Sequence, residues 1–513
     1  MSNETSETSS PISEKTGNFN TYYAALKREA THQPQNSPQN AIQNNPTLDL
    51  LKTPSKLATP NISYNAAKVV SRTDAEFTKL LTTHINIGRL ANAPDKGVLL
   101  ENNALFERPC LILGAPSSGK SVSLFRMVEE AAHQKRKVIL IFDGRYLSQF
   151  TSEMAVIGLG KATPEGAVKV SLPFSHLKEG DLATLIACYD NHQRALLSRA
   201  IKRIKLKSFL ESTANGELSS AELNSLTTDQ LFQESISRGV TTNDEDNQFL
   251  FRYLASPYLE FNLQKLPAEM ERLASFGEDE NILAAKKDNK LRSQHLFLDE
   301  VLARLEDLLT HPSFDLFRPS LSEASSPERE PLLFQMIDDF LRHSEVNILA
   351  ITLRGLSDKN NARLVVVNSV IRHLLDLSHL GIFSEHGALV AIDDSEKYLP
   401  PHDLPNLDAL HMLAKEGGRF ELGSAFVASS IKELPTAIKK EIGTLLTHQI
   451  KSQAEKDALA RSSSLPDAFK SSLVLPSAPG EALLTARNVS APIFLKVEPP
   501  QAMQLPSSSD ELS

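Results

Sequence analysis

Eight residues at 114–121, GAPSSGKS, have the spacing G-x-x-x-x-G-K-S. A turn of this composition presents a row of backbone N–H groups, and a helix beginning directly behind it adds the positive end of its dipole, so the arrangement suits a polyphosphate. Gly114, Ala115, Pro116, Ser117, Ser118 and Gly119 form the cradle, Lys120 reaches the terminal phosphates, and Ser121 offers its hydroxyl to Mg²⁺. ATP and Mg²⁺ are therefore the expected ligands. Such a loop needs a second, acidic centre to grip the metal and orient a water toward the γ-phosphate. ALVAIDDSEKYLP, at 388–400, supplies one. Asp393, first after the apolar run, is the candidate for the Mg²⁺ shell, and Asp394 stands where a carboxylate would polarise water. Glu396 offers a longer carboxylate nearby. Taken singly, a glycine-rich turn without ligand and an acid-rich surface turn are the alternatives.

Both segments require buried strands to hold them. From about residue 84, short apolar runs alternate with helical stretches: INIGRL, GVLL, PCLILGA, the helical SVSLFRMVEEAA, then KVILIFDG. This alternation predicts βαβ units and a mainly parallel sheet, a RecA-like P-loop NTPase core of the α/β class. Residues 181–345 interrupt it with apolar positions at helical spacing, as in ATLIACYDNHQRALLSRAIKRIKLKSFL and FLDEVLARLEDLL, and are expected to be a helical insertion. Strand-like runs resume at VNILAITL, ALVAIDD, SAFVASS and APIFLKV. The core is thus expected in two parts, 63–180 and 346–501, between polar tails at 1–62 and 502–513 that lack the apolar content to order themselves. Within the first tail, NTYYAALKREA places Tyr22, Leu26 and Ala30 on one helical face; an untethered tail is the favoured alternative.

A chain of 513 residues suggests roughly three structural units. Its 41% apolar and 23% charged composition is that of a globular protein, and the net charge of -9 excludes a wholesale basic coat. Any nucleic-acid contact must be local. AIKRIKLK, at 200–207, gathers Lys202, Arg203, Lys205 and Lys207, which are expected either to meet phosphates or, preferably on the residues alone, to form a solvated face. Two cysteines, Cys110 and Cys188, are too few for a disulfide framework and fit a reducing compartment. No apolar run is long enough to span a membrane, so a cytoplasmic location without membrane contact is expected.

The order of segments resembles the central domain of the HerA helicases, within the HerA and FtsK superfamily of ring-shaped DNA motors. INIGRL, GVLL, the phosphate loop, KVILIFDGRYLSQF, VSLPFSHLKEGDLATLI, NILAITLRGL, LAKEGGRFELGSAFVASS and PSAPGEALLTARNVSAPIFLKVEPP follow in the family's order over about residues 84–500. The resemblance implies ATP hydrolysis coupled to DNA translocation by a homo-oligomer, a hexameric ring, with a nuclease among its implied partners. It assigns Asp143 to the acidic position on the nucleotide side. It also places Arg419 or Lys415 where the family offers a cation to the ATP of the adjacent subunit; a solvated basic turn is the alternative for both. Three departures accompany it. Asp394 stands in place of the usual Glu, and Ser429 and Ser430 in place of the usual Gln. Only about 20 residues precede INIGRL after the tail, too few for the family's small β-barrel. If the short side chain limits turnover, Asp394→Glu should raise hydrolysis. A packaging or conjugation motor is a close variant of this reading. An ATP-binding assembly scaffold with little turnover competes with it, and a small-molecule kinase is disfavoured.

Overall fold

Runs of aliphatic residues flanked by turn formers become the strands of one sheet in the computed structural model. It describes residues 67–143, 154–160, 166–213, 219–239, 253–256, 258–259, 261–276, 291–318, 331–356, 361–384, 386–399, 408–461, 475–486 and 492–500. The expected tail segments, including the helix near residues 20–30, lie outside these. The first strands are β1 (Ala67–Ser71), β2 (His84–Leu90), β3 (Ala93–Glu101) and β4 (Cys110–Leu113). Next come β5 (Lys137–Phe142), β6 (Met154–Leu159), β7 (Val168–Val170), β8 (Ile348–Thr352) and β9 (Ala388–Ile392). The last are β10 (Leu422–Ala428), β11 (Thr444–Thr447), β12 (Glu481–Ala486) and β13 (Ile493–Val497).

Their order is β1-β3-β2-β13-β12-β11-β4-β10-β9-β5-β8-β6-β7. From β11 to β7 every neighbouring pair is parallel. From β1 to β11 every pair is antiparallel. Strands β4, β9 and β10 are buried along their whole lengths, which is why CLIL, ALVAI and LGSAFVA read as unbroken apolar runs apart from glycine and serine. Alternate residues of the parallel strands, such as Ile112, Val138, Leu140, Ala391 and Val427, form one core with Leu124, Phe125, Met127 and Val128. Those four lie on α1 (Lys120–His133), and Phe125 meets Phe142 edge-on, with ring centroids 6.2 Å apart. The consequence for the site is positional: β10 lies between β4, which leads into the phosphate loop, and β9, which leads into the acids.

Residues Asn191–Leu298 form a separate compact unit. Its long helix α2 (Asn191–Thr213) carries the basic stretch. The expectation of a solvated or phosphate-binding face is corrected here. Arg203, Lys205 and Lys207 are buried, and only Lys202 of the four is exposed. Glu269, on α3 (Leu266–Phe276), accepts from Arg203 Nε at 2.6 Å and from Lys207 Nζ. Arg203 also donates to the Leu226 carbonyl at 2.8 Å, while Lys205 donates to that of Ser256 at 2.6 Å. Burial alone would raise the Glu269 carboxyl, but the bonds from Lys207 and Arg203 overcome it and hold it below its ordinary pKa. These cations serve an internal network, in which removing one partner strands the others without water.

Candidate nucleotide-binding site

The loop after β4 takes a path that its residue types permit. Ser117 and Gly119 both have positive φ, +62° and +105°. At Gly119 a side chain would be strained and would also crowd the Gly480 backbone nitrogen at 3.2 Å. A Cβ at Gly114 would lie 2.7 Å from both the His448 Cβ and the Ser118 Oγ. The loop is tethered from behind: Ala115 N–H donates to the Gln449 carbonyl (2.8 Å), and the Ser118 carbonyl accepts from Gly480 N–H (3.0 Å). His448 lies beneath it, its Nε2 2.8 Å from the Ser123 hydroxyl. Burial drives the His448 pKa down to about 4, and the nearby Lys120 charge adds to the effect.

Lys120 is the first residue of α1 and is buried, with Nζ donating to the Ala115 carbonyl at 3.1 Å. Desolvation lowers its pKa against the pull of Glu396, Asp394 and Asp393, of which Glu396 acts most strongly. Next along the helix, the Ser121 hydroxyl donates to Asp393 Oδ2 at 3.1 Å. That separation is close to the roughly 2.9 Å between neighbouring ligands of an octahedral Mg²⁺ with arms of about 2.0–2.1 Å. The pair therefore fits this metal, which typically takes one or two protein oxygens and fills its shell with phosphate and water. Among the described residues no group of three or more His, Cys, Asp or Glu forms a larger metal cluster. Burial raises the Asp393 pKa and Asp394 raises it further, while the Ser121 bond opposes both.

The two remaining acids differ. Asp394 sits in the left-handed region at φ +49°, and Lys397 Nζ donates to its Oδ2 at 2.7 Å. Glu396 points the other way in chemistry. Its Oε1 accepts from the backbone N–H of Ser429 at 3.0 Å. Its Oε2 is buried without a hydrogen-bond partner among the described residues. Burial raises the Glu396 pKa, and hydrogen bonds from its own backbone N–H and from Ser429 restrain the rise. The intervening Ser395 donates to the Val427 carbonyl at 2.9 Å, fastening this turn to the end of β10.

The fold thus gathers the 114–121 loop, Asp393, Asp394, Glu396 and Ser429 at the C-terminal ends of β4, β9 and β10. Asp143, at the end of β5, lies 3.7 Å from Arg363 Nη1, whose Nη2 donates to the Leu356 carbonyl at 2.9 Å. Lys415 and Arg419 precede β10 and lie at its opposite end, roughly 20 Å from Ser429 for a seven-residue strand. Lys415 Nζ lies 3.5 Å from Glu416, whereas the exposed Arg419 has no hydrogen bond or ion pair among the described residues. Cys110 and Cys188 are buried, and burial pushes the Cys110 thiol up to about 12. Sequence reasoning missed His448, Lys397 and Arg363. Only the position of HQ directly after an apolar run, TLLTHQ, marked the first of these.

Residues 85–374, more than half of the chain, match the family model described as the central domain of helicase HerA. No curated protein matches the chain. Solved structures that resemble it include VirB4 of Thermoanaerobacter pseudethanolicus, 14% identical with a TM-score of 0.42, covering 82% of this chain and 98% of that one. The bacterial conjugative coupling protein TrwB, in a trigonal form with sulphate, is 14% identical with a TM-score of 0.47, covering 84% and 93%. The genome packaging NTPase B204 of Sulfolobus turreted icosahedral virus 2, with AMP, is 14% identical with a TM-score of 0.23, covering 32% and 71%. At these scores the structural likenesses assign no role, and the family match and the site geometry stand on their own. No helix among the described residues is long and apolar enough to cross a membrane.

Proposed function

The chain belongs to the helicase HerA central-domain family, and on that premise we propose that it hydrolyses ATP to move DNA through a hexameric ring of its own copies. The observation that carries this reading is the Ser121–Asp393 contact at 3.1 Å beside a complete phosphate loop, since it joins the two halves of a nucleotide site across a third strand. Backbone N–H groups of Gly114–Gly119 and the start of α1 would receive the polyphosphate, with Lys120 leaving the Ala115 carbonyl for the terminal phosphates. Ser121 and Asp393 would hold Mg²⁺, which would supply positive charge to offset that of the phosphates. Glu396, whose Oε2 has no hydrogen-bond partner among the described residues, would accept a proton from the attacking water. Asp394, held by Lys397, is less available for that role. Arg419, uncompensated and distant from its own loop, suits the cation delivered to the ATP of a neighbouring copy. A nuclease partner, and a packaging or conjugation role for the DNA movement, belong to this same reading.

One observation favours a second reading. The Asp394–Lys397 pair occupies the carboxylate expected to polarise water, as it would in a protein that binds ATP to assemble but turns it over little. Steady-state hydrolysis with and without duplex DNA separates the two. Turnover that Lys120→Ala abolishes supports the motor; tight ATP binding without turnover in either condition supports the scaffold.

A further inference from the structure

The turn that follows β10 is held from both sides by carboxylates. On one side is Glu396, bonded to the Ser429 N–H. On the other is Glu455, on the first turn of α4 (Gln453–Arg461). Its Oε1 accepts from the Ser430 hydroxyl at 2.9 Å and its Oε2 from the Ile431 N–H at 3.2 Å. Lys432 Nζ approaches Oε1 at 3.7 Å, and Lys432 N–H donates to the Ser430 hydroxyl at 3.2 Å. Ser429 therefore has its position set by the next two residues, both fastened to one carboxylate that is largely shielded from water, with 18% of its side chain exposed.

We propose that Glu455 is a positioning residue for hydrolysis: it locks the Ser430–Ile431 backbone so that the Ser429 N–H presents Glu396 to the attacking water. This rests on the reading of Glu396 given above. It also accounts for how short serines serve at the end of β10, where a longer amide side chain is expected from the family. The link to the nucleotide side includes the Ser429 backbone N–H at 3.0 Å, which cannot adjust through rotamers, so the turn itself must be fixed. A carboxylate bidentate across a hydroxyl and an amide fixes it in two directions. The competing role for an acid here is to stabilise the start of α4 through the helix dipole. That role would change stability without discriminating between steps of the reaction.

The test compares Glu455→Ala, Glu455→Gln and Ser430→Ala with the wild type in full-length protein. Glu455→Ala should lower kcat about tenfold, consistent with the approximately 10²-fold cost of larger misplacements, and leave the KM for ATP unchanged. Glu455→Gln, which keeps one acceptor oxygen, should recover part of the loss. Amide hydrogen exchange across Ser429–Ile431 should quicken in Glu455→Ala. In a Glu396→Asp background, whose residual turnover remains measurable, Glu455→Ala should have little further effect, because both changes act on the same carboxylate. Equal proportional losses in both backgrounds would overturn the proposal, as would an unchanged kcat in Glu455→Ala. Should Glu455→Ala fail to fold, Ser430→Ala decides by the same criteria. A wild type that binds ATP but shows no turnover removes the hydrolysis reading and this proposal together, whereas a turning-over wild type indifferent to Glu455 removes this proposal alone.

Discussion

Asp394 and Glu396 stand two residues apart, yet one is paired to Lys397 and the other has a buried Oε2 without a hydrogen-bond partner among the described residues. A carboxylate already bonded to an ammonium is a poor acceptor for a water proton, so the two should respond differently to neutralisation. Glu396→Gln is expected to lower kcat by roughly 10²-fold or more, the usual scale of a lost general base. Asp394→Asn should cost less than about tenfold on the same scale. Asp394→Glu should bring no gain, since the site is limited elsewhere. Steady-state ATP turnover checks all three. The turn after β4 was legible in the sequence because its demands are local, eight consecutive residues whose backbone requirements, such as the positive φ at Gly119, are fixed by residue type. The different partners of Asp394 and Glu396 were not, because they depend on the Ser429 amide, 33 positions from Glu396, and on a lysine that reads as an ordinary surface residue.

Strand β10 is the element that makes the site, standing between β4 and β9 and offering its end to Glu396 and to the loop. Beside it, β11 delivers His448 beneath the loop. The His448 pKa lies near 4 in the folded protein against an ordinary 6.5, so the unfolded chain binds the extra proton between those values. Its contribution is present above about pH 6.5 and is lost as the pH falls toward 4, by up to about 3 kcal/mol. The difference in thermal midpoint between wild type and His448→Gln should shrink over that window; a constant difference would sink the assignment. In the helical unit, Glu269→Ala should destabilise by about 3–5 kcal/mol because it leaves the buried Arg203 and Lys207 charges without the carboxylate that neutralises them. Lys202→Ala should be close to neutral, and denaturant unfolding measures both. The parallel strands were legible as buried runs. The burial of the basic helix was not, since Glu269 is 66 positions from Arg203 and no periodicity in α2 announces it. Nor did the short runs INIGRL and GVLL reveal that they begin an antiparallel flank joined to β13 near the other end of the chain.

At the scale of the molecule, the loop and Arg419 occupy opposite ends of the sheet, so a protomer cannot bring its own arginine to its own ATP. On the proposed reading, assembly is then a condition of turnover. Arg419→Ala should retain ATP binding and lose roughly 10³-fold in kcat. Mixing it with Lys120→Ala should restore part of the activity, because some interfaces then combine an intact loop with an intact arginine. With Arg203, Lys205 and Lys207 buried on α2, the basic stretch gives no support to the proposed DNA contact, and the family match, not the charge, carries that part of the proposal. The most direct test is steady-state ATP hydrolysis by the full-length protein, with and without duplex DNA. The account predicts turnover that duplex DNA stimulates and that Glu396→Gln lowers by roughly 10²-fold or more while ATP still binds. ATP binding with no turnover under either condition would contradict it.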